Sequence, residues 1–501
     1  MTQHKEAPPA PGNLGSHALR GGRVLAVGTV AERLARLGRN MLLARWIAPD
    51  QFGIMAITLA VIALFEAITE VGVSQAVIQN KRGNTPEFLN VAWWFGVVRG
   101  VVVALLAVPL AAPIAGFYDE PDLTPLLMVA PLTVVFTGLT SPRVYALQRQ
   151  FKFKATLFTF QGAGLIGTAF TIVLGLVLQN VWALLWGAVF EALVRFVISF
   201  VLCPIKPGFR LDRESRRDLF KFTKGMAGLS LLTFLIMQAD TFVLGKVVTS
   251  RELGLYTMAI ALAAFPLSIF SKVVRPLVVP ILAHFQEDFA GMRTQVLGLS
   301  RLVWLFGLPL TTVMACVAGP LLVLVYGRPD WEEAGPAFAI YSLFAIFYMA
   351  SMVTFGVYLA IGRPELQRRF TIVRAVLVIL ALYPMSVWLG LEGAALALLI
   401  AMALAMVVQL FNLRRVIDLS VLSYLGTLRA GLVSSALVAI PCLAMVWFTP
   451  APGWVDVLVC AALGGFTWGV LLLRERRTLT TLRRAAKAGQ HPVDPKAEDP
   501  L

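Results

Sequence analysis

The chain is written as apolar blocks of about 20 residues separated by short polar patches, and that length is what a helix needs to cross the hydrocarbon of a bilayer. In lipid every backbone N–H and C=O must be satisfied within the protein, so such blocks fold as helices. About fourteen can be counted by length. They begin near Arg20, Gln51, Phe88, Leu123, Ala155, Val181, Leu219, Leu253, Thr294, Glu333, Arg368, Leu391, Ser423 and Trp454. The expected fold class is an all-α polytopic membrane protein. Only 14% of the residues are charged, against about 25% in a soluble chain. The net charge of +15 therefore reports cytoplasmic loops and an anionic guest rather than a nucleic-acid partner.

Loop charge orients the blocks. With the N-terminus inside, the inside loops carry Lys81 and Arg82, then Arg149, Lys152 and Lys154, then a dense run from Lys206 to Lys224. Arg293, Arg363, Arg368, Arg369, Arg414, Arg415 and the arginines from Arg474 onward follow. The outside loops carry Asp119, Glu120 and Asp122, then Asp330, Glu332 and Glu333, then Glu392 and Asp456. This is the positive-inside pattern, with Arg45, Lys246, Arg251 and Arg328 as exceptions. Leaving out the charged first block would invert the pattern, so that block is expected to cross, with both termini cytoplasmic. No secretory signal peptide is expected, since the first residues are polar and rich in Pro and Gly. The four cysteines lie singly, without a Cys-x-x-Cys pair, so neither a metal nor a disulfide framework is indicated.

An internal repeat sets the domain layout. Leu43-Ala-Arg-Trp-Ile-Ala-Pro-Asp-Gln-Phe-Gly53 is echoed by Leu244-Gly-Lys-Val-Val-Thr-Ser-Arg-Glu-Leu-Gly254, which aligns Arg45 with Lys246 and Gly53 with Gly254. Phe117-Tyr-Asp-Glu-Pro-Asp122 is echoed in the same order by Val325-Tyr-Gly-Arg-Pro-Asp330. Each unit holds an even number of blocks, so the units enter the membrane in the same sense, as parallel repeats about an axis along the membrane normal. The expected layout is a flexible tail over 1–19, a six-helix bundle over 20–203, a basic linker over 204–218 and a second six-helix bundle over 219–415. Two extra helices over 416–474 and a flexible tail over 475–501 complete it.

Ionisable residues inside such blocks mark functional sites by default. In the first block Glu32, Arg36 and Arg39 share a stripe about 60° wide at 100° per residue, and Arg33 lies to one side. Glu32 can pair with Arg36 four residues on, which leaves a surplus of arginine. Arg99, Arg143, Lys272, Arg275 and Arg374 extend that surplus, and Glu191 with Arg195 forms a second pair at the same spacing. Arg143 and Arg374 stand near block ends, where snorkelling to the interface is the competing reading. A cavity lined by arginines suits phosphate or pyrophosphate. Glu66, Glu70 and Asp240 are candidates either for coupling a proton or sodium ion or for salt bridges to the arginines. No other cofactor is expected.

Several motifs together resemble a known family. They are Leu43 to Gly53, Thr69-Glu-Val-Gly-Val-Ser-Gln-Ala-Val-Ile-Gln79, Phe151-Lys-Phe-Lys154, Asp240-Thr-Phe-Val-Leu-Gly245, Leu253-Gly-Leu-Tyr256 and Gly327-Arg-Pro-Asp-Trp-Glu-Glu-Ala-Gly335. As a set they resemble the Wzx-type polysaccharide flippases (O-antigen and exopolysaccharide) of the multidrug/oligosaccharidyl-lipid/polysaccharide exporter superfamily. Glu70 stands where that family usually has aspartate. The resemblance implies two six-helix bundles in a V plus two further helices, in the bacterial inner membrane. It implies a flippase, not an enzyme, that moves an undecaprenyl-pyrophosphate-linked oligosaccharide by alternating access, with membrane lipids, a polysaccharide polymerase and a chain-length regulator as partners. In the sister lipid II flippases an acid/arginine pair on helix one and arginines on helices two and eight line the cavity. Glu32-Arg33 and Arg275 are similar, whereas Glu66 and Glu70 on helix two depart and argue against lipid II as the substrate. Arg33, Arg36, Arg39, Lys272, Arg275, Arg99 and Arg143 are thus the expected substrate contacts, with Glu32, Glu66, Glu70 and Asp240 in coupling or charge pairing. The rival readings are a cation-coupled drug exporter of the same superfamily, and a membrane-embedded polymerase or assembly scaffold. A polymerase would need a larger extramembrane loop than the sequence holds.

Overall fold

A computed structural model describes residues 14–70, 72–150, 152–448 and 453–474. The two expected tails lie outside the described residues apart from the start of the first helix. Among the described residues the regular structure is helical throughout. The first part runs α1 (Leu14–Trp46), α2 (Pro49–Ile68), α3 (Val73–Gln79), α4 (Pro86–Tyr118), α5 (Leu123–Val129), α6 (Leu132–Gly138), α7 (Arg143–Arg149), α8 (Phe153–Leu157), α9 (Ala163–Leu178), α10 (Val181–Leu202), α11 (Arg213–Val247) and α12 (Ser250–Ala263). Then come α13 (Phe265–Val273), α14 (Arg275–Ala283), α15 (Phe289–Cys316), α16 (Ala318–Tyr326), α17 (Gly335–Ala360), α18 (Gln367–Ile417), α19 (Val421–Phe448) and α20 (Gly453–Arg474).

Nine helices among the described residues are long and apolar enough to cross a membrane, or up to eleven if each bent pair is one span. The about fourteen expected by block length also include α1, which has 33 residues and carries four charges from Glu32 to Arg39, and α11, which has 35 residues, some of whose side chains lie outside the described ones. They also count the two halves of α18 separately. Helix α18 is two lengths joined at Gly390, whose φ of 56° and ψ of −127° turn the chain without an intervening loop. Only glycine takes that backbone conformation without strain. Helix starts follow their sequence: Thr85 caps α4 and Asn180 caps α10 through side-chain oxygens, and Pro49 and Pro86 sit at first-turn positions that need no donor.

The chain divides into two compact units, Met1–Met258 and Ala259–Leu501. The division falls beyond the basic linker at which the sequence suggests it, because α11 packs on α2, α3 and α4. In the first unit a core of Val77, Phe88, Leu89, Ala92, Ala146 and Leu219 ties α11 to α3, α4 and α7. In the second, Trp304, Tyr358 and Tyr424 are fully buried where α15, α17 and α19 meet.

The repeat found in sequence has a structural counterpart inside the first unit. A Cβ placed on Gly53 would collide with the backbone carbonyl oxygen of Ser250, and one placed on Gly254 would collide with that of Pro49. Each glycine meets the residue four positions before the other, so the contact is reciprocal, as a local two-fold axis requires. Small residues let helices approach to backbone contact where lipid supplies little hydrophobic drive. Next to it, Lys246 pairs with Asp119 at 2.5 Å and lies 5.4 Å from the Phe117 ring centroid, while Ser250 meets Glu120. Lys246, an exception to the loop-charge pattern, is thereby neutralised.

Arg82 anchors the basic linker. It contacts Glu214 at 2.7 Å, Asp218 at 3.5 Å and Asp212 at 3.8 Å. Asp212 caps α11 by accepting from the Ser215 N–H at 2.8 Å and hydroxyl at 2.6 Å, and these bonds hold its carboxyl below the usual carboxylate range. A depressed pKa stabilises above the unfolded value of about 3.9 and stops doing so as pH falls through the folded one. The first turn of α11 is therefore expected to keep its amide-exchange protection from neutral pH down to about 3.9 and to lose it as the pH falls further. Asp212→Asn should make that protection independent of pH over the same range.

Candidate functional site

The charges of α1 do not stand alone. Arg36 donates through Nε to Glu32 Oε1 at 2.9 Å, the pairing open at that spacing. Its Nη2 donates to Glu191 Oε1 on α10 at 2.8 Å, and the same oxygen accepts from Arg195 Nη2 at 2.7 Å. One carboxylate thus bridges two guanidiniums and fastens α1 to α10. Helix α9 leaves room for it. A Cβ on Gly164 would stand 2.9 Å from Glu32 Oε1, and one on Gly167 would stand 2.6 Å from the Glu191 Cβ.

A second group lies on α2 and α4. Arg99 Nη2 is 3.6 Å from both Glu66 Oε1 and Glu70 Oε2 and donates to the Glu66 carbonyl at 3.1 Å. Its Nε donates to Thr69 at 3.4 Å. Arg99 therefore closes the end of α2 and balances two acids. Arg195 joins the groups: it lies in the electrostatic field of Glu66 and of the Tyr145 hydroxyl. It also lies 5.6 Å from the centroid of Phe160. Phe160 sits in a π-helical turn, Phe158–Gly162, between α8 and α9. Such a turn inserts an extra residue and re-aims the side chains around it, often at functional sites.

With these partners assigned, the surplus of positive charge narrows. Arg39 donates from Nε and Nη2 to Asn40 Oδ1, at 3.2 and 3.0 Å, and has no carboxylate within salt-bridge distance among the described residues. Arg33 is exposed and has no carboxylate there either. Asp240 is placed differently from the other acids. It accepts from the Thr241 N–H at 2.8 Å and the Tyr256 hydroxyl at 3.2 Å, and no cation pairs with it among the described residues.

The remaining expected contacts lie apart from this cluster. Arg143 is at the start of α7 and donates to the Pro204 carbonyl at 2.8 Å, just past the end of α10. Lys272 is exposed on α13 in the second unit, and the side chain of Arg275 lies outside the described residues. Arg374, for which interface and interior were both open, is 4% exposed. Its guanidinium carbon lies 4.9 Å from the ring centroid of Tyr348 and 5.5 Å from that of Phe344. Aromatic faces are what a buried cation uses when no acid is near.

Sequence reasoning left the partners of Arg36 and Arg195 across helices unassigned. Helical spacing shows neighbours on one helix only; the signal it passed over is the Gly164-x-x-Gly167 pair, where small residues mark a close approach. It also passed over Arg301 and Arg429 inside otherwise apolar blocks. Among the described residues no group of three or more His, Cys, Asp or Glu side chains could hold a metal ion.

Comparison with known proteins agrees with this picture of a charged helical membrane protein. The chain is 23% identical over 405 residues to the lipopolysaccharide biosynthesis protein WzxC of Escherichia coli (strain K12), which covers 80% of this chain and 81% of that one. It is 22% identical over 393 residues to an uncharacterized membrane protein in the cps region of Klebsiella pneumoniae, covering 77% and 80%. In fold it is similar to the lipid II flippase MurJ in an inward closed conformation, with a TM-score of 0.73, 14% identity, and coverage of 91% of this chain and 99% of that one. The sequence pattern of the family described as "Polysaccharide biosynthesis protein" matches residues 42–336. That match takes in more than half of a helical, multi-pass chain, and by it the chain belongs to the polysaccharide biosynthesis protein family.

Proposed function

We propose that the protein is a flippase that carries a polyprenyl-pyrophosphate-linked oligosaccharide across the bacterial inner membrane by alternating access, for the building of a surface polysaccharide. The single observation that carries this reading is the pair Arg33 and Arg39. They lie within the length of α1, unlike Arg45 at its end, and have no acid within salt-bridge distance among the described residues, beside a cluster whose other arginines are already engaged. A diphosphate needs such donors: guanidinium forks match its oxygens in pairs. Arg36 acts as the frame that fixes their helix, and the lipid tail stays in the bilayer. Lys272, Arg275, Arg99 and Arg143 are secondary contacts in this reading. The family relationship, the fold shared with a lipid II flippase and the short gaps between helices support transport over catalysis.

Glu70 and Asp240 are the coupling residues of the proposal. Asp240 is the stronger candidate because among the described residues it accepts from neutral donors and pairs with no cation, so proton or sodium binding there would not first have to break an ion pair with any of them. Both termini are cytoplasmic in this reading, and a polymerase and a chain-length regulator act with the protein.

The test is flipping of a pyrophosphate-linked oligosaccharide in proteoliposomes. A charge-assisted hydrogen bond is worth about 1.5–3 kcal/mol, so Arg33→Ala and Arg39→Ala should each lower transport about 10-fold or more. The double variant should be inactive while eluting as a folded protein. Full transport by the folded double variant overturns the proposal.

A further inference from the structure

We infer that α18 carries, where its two lengths meet at their charged ends, a site for a phospholipid whose anionic headgroup bears a free hydroxyl. The pocket there has a volume of about 230 Å³. Arg369 lines it from the start of the first length and Arg415 from the end of the second. Gln409, Asn412 and the rings of Phe370 and Phe411 line it too. The loop charge assigns this end of the helix to the cytoplasm. Basic pockets between spans on that side are one form that recognition of lipid headgroups takes.

The polar wall is held by bonds between the two lengths. Gln409 Nε2 donates to Gln367 Oε1 at 3.1 Å, and Asn412 Nδ2 donates to the Tyr358 hydroxyl at 3.1 Å and to the Leu366 carbonyl at 3.4 Å. These bonds leave one polar atom over. Gln409 is 1% exposed, yet its Oε1 has no hydrogen-bond partner among the described residues. A buried polar atom left unmet is costly, and native proteins rarely leave one so. A hydroxyl in the pocket would meet it, and would do so equally with the amide turned round, because a hydroxyl both donates and accepts.

The two arginines suit a phosphate beside that hydroxyl. Both are exposed, and neither makes a hydrogen bond or ion pair among the described residues, whose side chains run here without a gap from 278 to 445. Guanidinium forks match phosphate oxygens in pairs.

Each arginine also ends an apolar stripe. From Arg369, Ile372, Val376, Ile379 and Tyr383 follow at steps of three and four along the first length, each at least 46% exposed. Back from Arg415, Phe411, Val407, Leu404 and Ile400 do the same along the second, each at least 39% exposed. Both lengths are apolar enough to cross a membrane, so the stripes run from the headgroup level into hydrocarbon. Two stripes offer a place for each chain of a diacyl lipid, whereas a polyprenyl lipid has only one. A phospholipid of the inner leaflet would thus rest with its phosphate between the arginines, its hydroxyl at Gln409 and its chains along α18.

Photocapture by the full-length protein tests the site, with p-benzoylphenylalanine in place of Phe411. The protein is reconstituted in vesicles of phosphatidylglycerol and phosphatidylcholine in equal amounts and irradiated, and mass spectrometry identifies the captured lipid. Phosphatidylglycerol should be taken about 10-fold over phosphatidylcholine, and Arg369→Gln with Arg415→Gln should bring the ratio to about one. Phosphatidylmethanol keeps the charge but has no hydroxyl. It should be captured about 5-fold less than phosphatidylglycerol, and Gln409→Leu should abolish that difference. Equal capture of phosphatidylglycerol and phosphatidylcholine without the arginine changes overturns the inference. So does equal capture of phosphatidylglycerol and phosphatidylmethanol, or an unchanged ratio in the glutamine variant. Loss of phosphatidylglycerol capture to millimolar inorganic phosphate would assign the pocket to a soluble anion, and loss to a small fraction of undecaprenyl pyrophosphate to the transported lipid; either result overturns it. Elution as a single species shows that a variant is folded. If the double variant is not, Arg415→Gln alone is measured in its place against the same outcomes.

Discussion

Glu191→Ala should destabilise the first unit by about 3–5 kcal/mol, the cost of removing one partner from a largely buried ion pair. Glu191 is 11% exposed at its side chain and serves Arg36 and Arg195 together. Without it Glu32 faces Arg36 alone, and Arg195 keeps only the more distant Glu66 and the Phe160 face. The sharper expectation concerns the double variant Glu191→Leu with Arg195→Leu. It leaves Glu32 and Arg36 as a neutral pair, so it should be less destabilised than Glu191→Ala alone, a non-additivity that marks direct coupling. Thermal unfolding of the detergent-purified variants measures both. Equal losses in the single and double variants would mean that the residue acts through packing and not through charge.

Gly53→Leu and Gly254→Leu should each be as damaging through sterics. In both cases the nearest obstacle is a backbone carbonyl, of Ser250 or of Pro49, which no rotamer change can move aside. Overpacking typically costs about 1–3 kcal/mol even where neighbours are flexible side chains, so these variants should express poorly and unfold at lower temperature. Gly38→Ala and Gly116→Ala are the controls. Nothing stands within 4 Å of a Cβ at either position, and both lie in helices. There alanine should be neutral, or stabilising by about 0.5–1 kcal/mol. Equal tolerance of leucine at Gly53 and alanine at Gly38 would contradict the close approach.

These two expectations also show how far sequence carries. The apolar blocks and loop charges announced a helical membrane protein, and Gly53 and Gly254 could be paired as repeats before they were seen to touch. The stripe on α1 and the spacing of Glu32 to Arg36 follow from helical geometry, since residues four apart must be neighbours. The bond from Arg36 to Glu191 does not, because nothing local ties α1 to α10 across the intervening helices. For the same reason Arg374 could be read either way. Its position on α18 was plain, but burial depends on Phe344 and Tyr348 of another helix. Arg369 and Arg415 passed as loop charges because only the fold brings them to one pocket. Helical periodicity tells which residues share a face, and packing alone tells what that face meets.

The packing of α11 on α2, α3 and α4 has a consequence for how the protein is made. Synthesis delivers the chain N-terminus first, and domains close as units when their last element arrives. The first sequence repeat is finished at about Cys203, yet the faces of α3 and α4 that meet Leu219 are still uncovered at that point. They stay so until the basic linker has been left behind at the membrane surface and α11 has been inserted. Repeat boundary and assembly boundary therefore differ, and the early helices wait in the bilayer for a partner that opens the second repeat.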